Sequence, residues 1–212
     1  RFNNVDIIYN FPLASMMMNA ESKVDIAVAS DRENDTLAIF SISENGQLNK
    51  LSTTQLDDEE YTIFGVDDLE ATAYGLATYT SPVSGKNYVF VTQADGNKVA
   101  QLELTSKLGQ SNEQLIEAEV VRTLELPTPT GDAEDSQSEG IVIDQELGFL
   151  YVALENEVGI LKFSAEPNSG SDFTVVQPLQ ESADLQLVPL TDFIAFGDST
   201  TDVGNVFLST AL

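Results

Sequence analysis

The sequence predicts an all-β protein that forms part of a β-propeller, and three observations carry that prediction. Three hairpin units recur about 60 residues apart, a spacing that belongs to propellers, solenoids or arrays. Each unit alternates apolar and polar residues along two runs joined by a short acidic or Gly-containing turn, the pattern of a half-buried hairpin. Helical periodicity is weak. Only "KLGQSNEQLIEAEV" (107–120) has helical character, and it reads equally as a loop leading into a strand.

In chain order the hairpins are "VDIAVASDRENDTLAIFSI" (24–42), "YVFVTQADGNKVAQLEL" (88–104) and "LYVALENEVGILKFSAE" (150–166). The second and third each follow a further strand opened by glycine, "YGLATYTSPVSGKN" from Tyr74 and "EGIVIDQELGF" from Glu139. Strand-rich units of this size fit propeller blades. A ring of about six needs well over 300 residues, so this chain holds about three. "PTPTGDAEDSQS" (127–138) reads as a polar loop between blades. The character changes after "SAEPNSGSDFTVVQPL", so the sequence divides into a partial propeller over 1–181 and a linker with a new segment over 182–212.

Composition removes whole classes of chemistry. The 212 residues contain no histidine and no cysteine, so Ser-His-Asp catalysis, phosphohistidine, thiolate nucleophiles and zinc-thiolate sites are excluded. Carboxylates, Tyr, Lys, Arg and hard oxygen-bound cations such as calcium remain. Nine Lys and Arg against 35 Asp and Glu give a net charge of -26, which repels nucleic acid and anionic membranes. Two readings of that charge stand: a solvated acidic shell suited to a saline or extracellular setting, or carboxylates gathered for calcium. No run is long enough to span a membrane, and no oligomer is expected. The absence of cysteine leaves the compartment undecided, and no signal peptide is visible from Arg1.

Five stretches resemble the β-propeller phytases, calcium-dependent hydrolases of phytate (inositol hexakisphosphate). They are "NNVDIIYNFPL" from Asn3, "KVDIAVASDR" from Lys23, "AYGLATYTSPVSGKNYVFVT" from Ala73, "SEGIVIDQELGFLYVA" from Ser138 and "GILKFSAEPNSG" from Gly159. They occur in the family's order across about residues 1–180. The resemblance implies hydrolysis of phosphomonoesters on inositol phosphates by a calcium-activated water, in an extracellular or periplasmic setting. It gives Arg32 the gripping of phosphate, and Asn3 a place near the active site. Tyr74, Glu139 and Glu155 become residues lining the calcium cluster, and Val5 a backbone carbonyl ligand of a structural calcium.

The chain also departs from the family pattern. Gln93-Ala94-Asp95 stands where a cationic pair is common, leaving Lys98 as the replacement cation, and Leu154 occupies the place of one of two paired glutamates before Glu155.

Near the end, "FIAFGDSTTDVGN" (193–205) resembles the first block of the SGNH (GDSL-type) esterases, in which the serine equivalent to Ser199 is the nucleophile. Without histidine that site is incomplete. The segment either opens an SGNH α/β domain or is one more strand and turn of the propeller. The expectation is therefore a fragment of a calcium-dependent phytase. A non-catalytic propeller that binds or scaffolds, and an accessory domain of an SGNH esterase, are the alternatives.

Overall fold

In the computed structural model, residues 2–14, 22–53, 62–65, 72–128, 131–132, 138–154 and 159–178 are described. Their regular structure is entirely β, arranged in three blades. The first blade comprises β1 (Phe2–Leu13), β2 (Ser22–Asp31), β3 (Thr36–Ile42) and β4 (Leu48–Thr53). The second comprises β5 (Ala73–Thr80), β6 (Asn87–Gln93), β7 (Lys98–Leu108) and β8 (Gln114–Glu125). The third comprises β9 (Ser138–Asp144), β10 (Phe149–Leu154), β11 (Gly159–Ser164) and β12 (Phe173–Pro178). Each blade is an antiparallel meander. A short parallel contact, Ser52 opposite Leu115 and Thr53 opposite Ile116, joins the outer strands of the first two blades into one eight-stranded sheet.

Burial shows how the blades stack. Every residue of β6 is buried, because both faces of the second blade are covered. Val89 and Val91 point into a core shared with Ile26, Val28, Leu37 and Ile39 of the first blade. Tyr88 and Phe90, one residue out of phase, point into a second core with Leu150, Val152 and Leu161 of the third. The two-residue period of a strand thus divides one apolar run between two interfaces. Burying aromatic and branched side chains on both faces supplies most of the driving force for stacking.

The stretch 107–120 is a hairpin. Residues 109–112 turn, with Asn112 in the left-handed region at φ 64°, and β8 follows. Ile116 and Ala118 are buried while Glu117 and Glu119 are exposed, so the period of two overrides the helix preference of Glu and Ala.

The innermost strands β1, β5 and β9 lie side by side. They enclose a groove of about 650 Å³ lined by Asp6, Ile8, Thr78, Ile143 and Gln145, among others. Polar clasps hold these strands together. The Asp6 carboxylate accepts from the Thr78 amide and hydroxyl, both at 2.8 Å, and the Gln145 amide donates to the Thr78 carbonyl.

A second polar set locks blade two to blade three. The buried Tyr79 hydroxyl donates to Glu166 Oε1 at 2.7 Å, and the Ser81 hydroxyl donates to the same carboxylate at 2.9 Å. Arg122 reaches from β8 to donate to the Ser164 and Gly170 carbonyls, each at 2.9 Å. Burial, reinforced by the Glu166 carboxylate, pushes the Tyr79 phenol well above the ordinary tyrosine range near 10. A raised pKa favours the protonated phenol in the folded state, so its contribution is whole below about pH 10 and declines above it. Urea unfolding should therefore show wild type more stable than Tyr79→Phe at about pH 8, with the gap shrinking above about pH 10. A gap constant with pH contradicts this.

Candidate active site at the propeller mouth

The innermost strands all begin at one end of the blades. Register brings the hairpin turns to that end as well: Phe2 lies opposite Asp31, Ala73 opposite Gln93 and Ser138 opposite Leu154. The mouth therefore collects the starts of β1, β5 and β9, the turns that follow β2 and β6, and the end of β10.

Each innermost strand carries a bulge in its first turn of pleat. Between Phe2 and Val5, Ala73 and Leu76, and Ser138 and Ile141, three steps of the inner strand face two of its neighbour. In each bulge a pair, Asn3-Asn4, Tyr74-Gly75 or Glu139-Gly140, stands opposite a single residue of the neighbouring strand. A bulge releases one residue from the ladder and re-aims its side chain. Three sequence-predicted site residues, Asn3, Tyr74 and Glu139, thus occupy equivalent positions in the three blades.

The structure also brings Arg32 to Tyr74. Arg32 lies in the turn after β2, and its guanidinium carbon stands 5.0 Å from the centre of the Tyr74 ring, a cation–π distance. Arg32 is half-buried. Beside it, burial opposes the charge of Asp31, yet hydrogen bonds from the Asn34 amide (2.8 Å) and the Glu33 backbone N–H (3.2 Å) hold its carboxyl below the usual range.

Other predicted residues lie further apart. Lys98 opens β7 at the same end but two strands out from the axis, opposite Glu125. Gln93 and Ala94, at the place of the cationic pair, are both buried. Asn3 and Val5 are exposed on β1, Val5 63% so. Glu139 is placed by its backbone in β9, whereas Glu155 and Ser199 lie outside the described residues, as does the whole segment 182–212.

Sequence reasoning missed the groups that hold the bulges. The Ser30 hydroxyl is buried; it accepts from the Asn4 N–H at 3.1 Å and donates to the Tyr74 carbonyl at 2.6 Å. The buried Thr92 hydroxyl accepts from the Gly75 N–H at 2.8 Å. A hydroxyl at an inward position of an apolar strand was the available signal.

The donors at this mouth are oxygens, which suits a hard divalent cation. Ser138 Oγ, next to Glu139, is buried without a hydrogen-bond partner. Among the described residues no three carboxylates converge to hold an ion by themselves. The donor set thus fits an ion whose coordination is completed by further oxygens, such as those of a phosphate.

Comparison with known proteins supplies the family. Residues 1–188 match the model of the Phytase family. The chain is 34% identical over 178 residues to the 3-phytase of Bacillus subtilis (strain 168), across 83% of this chain and 40% of that protein. It therefore spans about two fifths of that relative's length. With three stacked blades and a family model matched over residues 1–188, the chain belongs to the Phytase family.

Proposed function

We propose that the protein is a phosphoric monoester hydrolase that releases phosphate from inositol hexakisphosphate with bound calcium as its cofactor. The observation that supports this most is the Arg32 guanidinium stacked on Tyr74 at the mouth where the bulge of β9 carries Glu139. A planar guanidinium offers paired N–H donors matched to phosphate oxygens. Arg32 would orient one phosphate, with Lys98 supplying weaker attraction from the second blade. Glu139, with Glu155, would hold calcium, and the Val5 carbonyl a structural ion. When bound, calcium neutralises carboxylate and phosphate charge and acidifies water at neutral pH, so that hydrolysis needs no histidine. The -26 charge makes such neutralisation necessary, because a phytate polyanion is repelled by this surface.

The test is phosphate release from phytate by the full-length protein, at buffered free calcium and in excess chelator. Release with calcium and its loss in chelator are expected, whereas equal rates overturn the proposal. Calcium-dependent binding of phytate without release instead identifies a binding module.

A further inference from the structure

We propose that Ser30 and Thr92 are positioning residues whose hydroxyls fix the bulges of β1 and β5 and thereby set the Arg32–Tyr74 pair for phosphate capture. This rests on the reading of Arg32 as a phosphate-gripping group. The two hydroxyls are equivalent by register. In the first two blades the second bulged residue turns an amide away from the ladder, toward the next-to-last residue of the neighbouring strand. Ser30 stands between Ala29 and Asp31, and Thr92 between Val91 and Gln93, each opposite its bulge. Each is fully buried, and each accepts that displaced amide, from Asn4 and from Gly75. Ser30 does more, because its proton goes to the Tyr74 carbonyl at 2.6 Å in the next blade. One hydroxyl thus ties β1, β2 and β5 together, two residues before Arg32 and at the backbone of the ring on which Arg32 stacks.

The third blade supplies the control. Its equivalent position is Ala153, buried between Val152 and Leu154 opposite the Glu139-Gly140 bulge. A bulge therefore forms without a hydroxyl opposite it. The hydroxyls of Ser30 and Thr92 are not required to make the shape. They fix it in the two blades that carry the arginine and its ring. A cation–π pair depends on where the ring sits, so a displaced Tyr74 backbone misplaces the guanidinium, and small misplacements are costly in capture.

The experiment uses the full-length protein and two readouts. In phosphate release from calcium phytate, Ser30→Ala and Thr92→Val should raise KM about tenfold while kcat changes less than about twofold. Thr92→Ser, which keeps the hydroxyl, should restore KM. In an Arg32→Ala background neither substitution should raise KM further, because the effect runs through Arg32. The second readout is the NMR resonance of the Arg32 Nε–H, displaced by the ring current of Tyr74. It should move toward the ordinary arginine position in Ser30→Ala and Thr92→Val and stay in place in Tyr74→Phe. KM increases that persist in full without Arg32, or an Arg32 resonance unmoved by both substitutions, overturn the proposal. If Ser30→Ala does not fold, Thr92→Val against Thr92→Ser decides alone. A wild type that releases no phosphate overturns the proposed function, while the resonance still decides the positioning role.

Discussion

Replacing Asp35 with alanine is expected to lower the unfolding free energy by about 4 kcal/mol. Asp35 is a buried carboxylate, 1% exposed, in the turn that joins β2 to β3. Its Oδ2 accepts from the Phe64 N–H at 2.7 Å and its Oδ1 from the Ala73 N–H at 3.0 Å, while its own carbonyl accepts from the Ile63 N–H at 2.8 Å. It thereby fixes the segment entering β5 to the first blade. Alanine strands two amides, each at a cost of about 1–3 kcal/mol when buried. The backbone here is left-handed, at φ 50°, which disfavours alanine by roughly 1 kcal/mol more. Asparagine tolerates that backbone and keeps one acceptor oxygen, so Asp35→Asn should cost about half as much. Urea unfolding of the three proteins decides the matter. An alanine variant within about 1 kcal/mol of wild type contradicts the anchoring role.

Arg32→Ala in the full-length protein is expected to reduce kcat/KM for calcium phytate about 100-fold, or about 2.7 kcal/mol of lost interaction with phosphate. The expected stability change is small, because a partly exposed cation–π contact contributes about 0.5–1 kcal/mol. Arg32→Lys should recover only part of the loss, since an ammonium keeps the charge but not the paired planar donors. Steady-state kinetics beside thermal unfolding separate the two effects. A large fall in melting temperature with unchanged kinetics makes Arg32 a structural residue instead.

The blades were legible because alternation survives in every hairpin, and because the hairpin turns carry Asp, Asn and Gly. Tyr74 and Glu139 stood out through the glycine that follows each of them, and the structure explains that glycine as the second residue of a bulge. The bulge itself adds one residue and leaves the apolar pattern nearly intact, so the sequence does not announce it. The polar anchors were hidden for a different reason. Asn4 and Ser30 are 26 residues apart, Ser30 and Tyr74 are 44 apart, and Asp6 and Thr78 are 72 apart. No local rule pairs groups at such distances. The stretch 107–120 was ambiguous for the opposite reason, since Glu117, Ala118 and Glu119 favour helix individually while their burial alternates, and the loop-into-strand reading is the one that holds.

The central claim is that Glu139, at the inner-strand bulge of the third blade, helps to hold the cation that would make phosphate hydrolysis possible without histidine. Its most direct test is a calcium titration of phosphate release from phytate, with wild type beside Glu139→Gln in the full-length protein. The substitution keeps the size of the side chain and removes its charge. Both curves should saturate, with Glu139→Gln requiring about tenfold or more additional free calcium for half-maximal rate. Superimposable curves for the two proteins would contradict the account.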